Sequence, residues 1–126
     1  MILLDTSVLI DALSGPRRSA AALRGAIERG ERVMLTTPVL YEWLRGPRLP
    51  EELAAQEALF PSEAALGFGP EEAAIAAELY RKVPHPRGRG ADLAIAASAL
   101  AVEATMWTLN LADFEDIDGL RVEGPG

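Results

Sequence analysis

The chain has 126 residues, about the size of one ordinary domain, with no Cys, one His and a formal charge of −7 from 12 basic and 19 acidic residues. That balance excludes a protein that coats nucleic acid through broad positive charge, and the missing Cys excludes disulfides, thiolate nucleophiles and zinc–sulfur centres. With His85 alone there is no multi-His metal site, and no apolar run approaches the ~20 residues that span a bilayer.

The chain opens on "MILL", a short continuous apolar run that predicts a strand buried on both faces. It ends on Asp5. Thr6-Ser7 then supplies caps for a helix over "VLIDAL", which stops at Gly15-Pro16 and carries Asp11 toward solvent or a partner rather than a metal. A second helix, "SAAALRGAIERG", has Ser19 as its N-cap and Gly30 as its stop. "RVMLT" is a second buried strand, and Thr37-Pro38 begins the helix "VLYEWLRG". Two Ala-rich helices follow, "PEELAAQEALF" and "GPEEAAIAAELYRKV", both with acids in the first turn where they complement the helix dipole. "HPRGRGA" is a loop, "DLAIAASALAVE" an apolar helix beginning at Asp92, and "ATMWTLN" a third buried strand. "LADFEDIDG" reads as a loop or short helical turn and "LRVE" as a last short strand.

Strands alternate with helices from end to end, which predicts a single α/β domain over residues 1–126, with a parallel sheet and helices on both sides. The N-terminus does not read as a signal peptide, so the expected location is the cytoplasm.

Sites in open parallel sheets form beyond the carboxyl ends of the strands. Asp5 ends the first strand, Asn110 the third, and Asp113 follows shortly after. Glu42 lies about one turn into the helix after the second strand and can point back at the same edge. Asp92 reaches that edge if its helix starts there. Singly, each has an ordinary explanation as a cap, a turn residue or a solvated side chain. Together they form an acidic cluster whose charges repel and raise one another's pKa values, and the usual relief is a hard divalent ion, Mg²⁺ or Mn²⁺, on oxygen ligands. Such an ion orients a phosphate and lowers the pKa of water, so metal-assisted hydrolysis suits the residues present. Arg45, Arg48, Arg87 and Arg89 are candidate contacts for phosphate. Trp43 and Trp107 lie in apolar stretches and read as core or dimer-interface residues. Neither a G-x-x-x-x-G-K-[ST] nor a G-x-G-x-x-G sequence is present, which disfavours a nucleotide-binding module.

Four segments in order, "LLDTSVLIDAL", "TTPVLYEWLRG", "DLAIAASALA" and "TLNLADF", resemble PIN-domain ribonucleases, and most closely the VapC toxins of toxin–antitoxin pairs. The resemblance covers essentially the whole chain. It implies a three-layer α/β/α sandwich around a mostly parallel sheet, and a Mg²⁺- or Mn²⁺-dependent endoribonuclease that leaves a 5′-phosphate and a 3′-hydroxyl. It maps Asp5, Glu42 and Asp92 onto the three core acids, with Asp5 and Asp92 holding metal directly or through water. Asn110 stands where some relatives carry Asp, so Asp113 is the alternative fourth acid. Thr6 and Ser7 are expected to position substrate or water beside Asp5, with Arg45 and Arg89 on RNA phosphates. The resemblance also implies a homodimer and a small VapB-type antitoxin, an Arg of which could enter among the acids in place of the metal's charge. The rival reading is a non-catalytic binding module on the same fold.

Overall fold

A computed structural model describes all 126 residues. Strands β1 (Ile2–Leu4), β2 (Val33–Met34), β3 (Thr105–Trp107) and β4 (Arg121–Glu123) form one sheet in the order β2-β1-β3-β4, with every pairing parallel. Six helices connect and cover them: α1 (Thr6–Leu13), α2 (Ala20–Glu28), α3 (Thr37–Arg45), α4 (Pro50–Leu59), α5 (Pro70–Lys82) and α6 (Gly90–Ala101). This is the expected α/β/α sandwich. Ile2, Leu3 and Leu4 are all buried although successive side chains face opposite sides of the sheet, so both faces are covered. The buried apolar residues form one contiguous cluster, from Leu3 and Val8 through Trp43 and Ile95 to Met106 and Phe114.

The strand order determines where a site can form. From β1 the chain crosses to β2 on one side, then returns past β1 to β3 on the other. The connections diverge between β1 and β3, and the crevice beyond their carboxyl ends is the topological switch point. The register there is close: Leu4 lies opposite Trp107, and the Asp5 amide donates to the Trp107 carbonyl at 2.8 Å.

Several boundaries differ from the sequence reading. Helix α1 starts at Thr6, and Asp5 itself is its N-cap, with extended backbone and a side chain that accepts from the Thr6 amide. Thr6 and Ser7 are therefore inside the helix, and the capping role expected of them falls to Asp5. Helix α3 begins at Thr37 with Thr36 as its N-cap, which places Pro38 in the first turn. Helix α6 begins at Gly90, so Asp92 sits within its first turn rather than at its start. Asp11 is buried, not solvated: its Oδ2 accepts from the Ser19 amide at 2.7 Å and ties α1 to the start of α2. Leu66 adds a parallel bridge to Thr36 beyond β2, an edge contact with no sequence signature. Trp43 and Trp107 are both core residues.

Candidate active site

The strand-to-helix turn after β1 delivers the first acid. Asp5 is only 5 % exposed. Its carboxylate accepts from the Thr6 amide at 2.9 Å, the Ser7 hydroxyl at 2.9 Å and the Thr108 hydroxyl at 2.7 Å. One oxygen caps the helix and the other takes two hydroxyl donors, so a single Asp both starts α1 and presents a fixed carboxylate at the switch point.

Glu42, half-buried on α3, accepts from the Thr6 hydroxyl at 2.6 Å. Thr6 and Ser7 thus spend their hydroxyls on the two acids. They orient Glu42 and Asp5. Arg45, one turn further along α3, lies 3.6 Å from Glu42 and within cation–π distance of Tyr41, 5.5 Å from the ring centroid. Its side chain is 60 % exposed, so it stays available at the rim.

Asp92 enters from the first turn of α6 and is half-buried. Its carboxyl is pushed up to about 6: burial disfavours the charged form, and the negative charges of Asp5, Asp113 and Glu42 disfavour it further, outweighing the Arg89 guanidinium. Side chains from four separate segments therefore share one electrostatic environment. They do not form a tight cage, since no three of them stand close enough to hold one ion together. The oxygens of Asp5 and Glu42 are partly engaged by hydroxyls instead. A hard ion that keeps several of its own waters fits such a set, with one or two carboxylates in direct contact and the others reaching it through water.

At the far end the geometry favours Asp113 over Asn110. Asn110 is exposed and takes part through its backbone: its amide donates to Thr108 Oγ1 at 3.0 Å, and its carbonyl accepts from the Asp113 amide at 3.0 Å. It thereby caps a 3₁₀ turn, Leu111–Asp113, and Asp113 is the acid whose charge reaches Asp92.

Two expected phosphate contacts are already engaged. Arg89 holds Asp116 with both guanidinium arms, at 2.8 and 2.9 Å, and donates to the Asp113 carbonyl at 2.8 Å. Arg48 donates to the Trp43 carbonyl at 2.9 Å and stacks 4.2 Å from the Trp43 ring centroid. Arg87 stays exposed, as does His85 in the same loop. Thr108 is the residue that sequence reasoning missed. Its signal was available, since a hydroxyl stands immediately after a buried strand, at the same edge as a strand-end Asp.

The PIN domain family profile matches residues 2–120. Ribonuclease VapC19 of Mycobacterium tuberculosis is 34% identical over 116 residues, which span 90% of this chain and 92% of that protein. Among solved structures, a chain of the DNA-bound VapBC complex from Salmonella typhimurium superposes with a TM-score of 0.75 at 25% identity, covering 99% of this chain and 98% of that one. A chain of a toxin–antitoxin complex from Klebsiella pneumoniae superposes with a TM-score of 0.72 at 26% identity, covering 100% and 98%.

Proposed function

This chain belongs to the PIN-domain family, and on that footing we propose that it is a metal-dependent endoribonuclease, the toxin of a VapBC-type pair. The observation that carries the reading is the convergence of Asp5, Glu42 and Asp113 on the half-buried Asp92, whose carboxyl is pushed up to about 6 by burial first and by their negative charges second. A structural cap or a solvated acidic loop does not require four acids from distant segments to face one another. Likeness to a protein named a ribonuclease, along nine-tenths of the chain, supports the same reading. The whole of 1–126 is read as one nuclease domain.

Mg²⁺ or Mn²⁺ is the ion the oxygen-only donors select. When bound, it supplies Lewis acidity, polarising a phosphate oxygen and lowering the pKa of a water. Asp5 and Asp92 would hold it, directly or through water. Asp5 suits that role because its three donors fix its orientation before any ligand arrives. Glu42, held by Thr6, and Asp113 orient the attacking water and take up its proton. Arg45 steadies an RNA phosphate at the rim. The products by this route are a 5′-phosphate and a 3′-hydroxyl.

The partners of this reading are RNA, a VapB-type antitoxin that blocks the acidic cluster, and a second copy of the chain. Tyr41 and Leu44, exposed on α3, support a self-association surface. We read its action as cytoplasmic, where RNA and an antitoxin would meet it. No helix is long and apolar enough to cross a membrane. Expression without an antitoxin tests the toxin role: growth arrest that Asp92→Asn relieves supports it, and undisturbed growth contradicts it.

A further inference from the structure

The loop that carries Asp113 and the helix that carries Asp92 meet through one side chain. Arg89 is the N-cap residue of α6, three positions before Asp92. Its guanidinium makes a two-pronged ion pair with Asp116 and a third bond to the Asp113 backbone carbonyl, with the side chain only 19 % exposed. The three bonds span 27 and 24 positions of chain and all fall on the segment just beyond β3. Nothing else in the hydrogen-bond network ties this loop to α6. Asp113 is exposed and its carboxylate accepts no hydrogen bond of its own; its backbone is held within the turn by its amide's bond to the Asn110 carbonyl, and across to α6 by Arg89 on its own carbonyl.

We propose that Arg89 is a positioning residue: clamped to Asp116 and to the Asp113 carbonyl, it sets the separation of Asp92 and Asp113 and so prepares the acidic site for its divalent ion. The role depends on the planar fork of a guanidinium, which reaches a carboxylate and a carbonyl at once; an ammonium carries the same charge but lacks that geometry. Groups that orient ligands from behind in this way commonly change metal affinity or activity by about 10–100-fold when removed. The inference rests on the metal-dependent nuclease reading and adds a residue to it.

The test compares wild type, Arg89→Lys and Asp116→Asn in two titrations with Mn²⁺, one reading the rise in thermal midpoint and the other RNA cleavage. Arg89→Lys keeps the charge, so a purely electrostatic role predicts wild-type behaviour from it. The expected result is that both variants need about 10–100-fold more Mn²⁺ for half-maximal stabilisation and for half-maximal cleavage, with ion-free midpoints close to wild type. Wild-type Mn²⁺ response in both variants overturns the proposal while leaving the nuclease reading intact. A lower ion-free midpoint with an unchanged Mn²⁺ requirement also overturns it, because the clamp then serves only folding. If Arg89→Lys does not fold, Asp116→Asn decides alone. A wild-type protein that neither responds to Mn²⁺ nor cleaves RNA overturns the nuclease reading and this inference together.

Discussion

The hydroxyl of Thr108 donates to Asp5 Oδ2 at 2.7 Å, joining the end of β3 to the end of β1 across 103 positions of chain. The same oxygen takes the Ser7 hydroxyl, and Thr108 Oγ1 in turn accepts the Asn110 amide. The switch-point crevice is therefore closed by a short polar chain that runs from the α1 cap to the turn carrying Asp113.

Thr108→Val keeps the shape of the side chain and removes this donor. The Asp5 carboxylate is buried, so the loss should destabilise the fold by about 1–3 kcal/mol and lower cleavage along with it. Chemical denaturation reads the first effect and an RNA cleavage assay the second. An unchanged midpoint would mean that Ser7 and the Thr6 amide hold Asp5 without help.

Asp92 should trade stability for function. Its raised pKa means the folded state binds its proton more tightly than the unfolded chain does. The stabilising contribution is then fully present below the usual pKa of 3.8 and is lost as pH rises through about 6. In the absence of divalent ions, wild type should gain stability relative to Asp92→Asn as pH falls from 7 to 4, and the variant should be the more stable at pH 7, by about 1 kcal/mol once its half exposure is allowed for. Urea unfolding of both proteins across that range checks the sign. Asp116 does not confuse the window, because its hydrogen bonds to Arg89 hold its carboxyl below the ordinary range.

How much of this was legible in the sequence depended on which interactions are local. The buried strands announced themselves as apolar runs, and their alternation with helices was enough to predict a parallel sheet, whereas placing Asp92 at the same edge as Asp5 and Glu42 depended on where its helix starts. The start of α1 was misplaced because Asp, Ser and Thr all cap well and adjacent candidates compete on equal terms, and that of α6 because its cap residue, Arg89, is not of a type that marks a helix start. The roles of Thr6, Thr108 and Arg89 were hidden for a different reason. Each acts on a residue between 24 and 103 positions away, and no spacing rule reports which partner a side chain will meet. Asp11 was misread because a buried Asp is expensive unless paired, and its donor, the Ser19 amide, is a backbone group without a sequence mark.

The two arginines near α3 should separate cleanly. Arg48 packs on Trp43 and bonds its carbonyl, so Arg48→Ala should cost about 1 kcal/mol of stability and leave the KM for RNA unchanged. Arg45 lies at the exposed rim beside Glu42, so Arg45→Ala should raise KM with little change in midpoint. Steady-state cleavage of a short labelled RNA, paired with thermal unfolding of each variant, distinguishes the two. The opposite assignment would place the substrate path on the other side of α3.

Divalent ions should protect the fold in a pH-dependent way. Protons and metal compete for the same carboxylates, so Mn²⁺ should raise the thermal midpoint more at pH 7 than at pH 5. Equal protection at both values would indicate an ion bound away from Asp92.

The most direct test of the account is cleavage of total RNA by wild type and Asp5→Asn, with Mg²⁺ and with EDTA, followed by mapping of the new ends. The account predicts discrete cuts that require both Mg²⁺ and Asp5 and that leave 5′-phosphate and 3′-hydroxyl ends. Cuts that persist in EDTA, or that Asp5→Asn leaves unchanged, would contradict it.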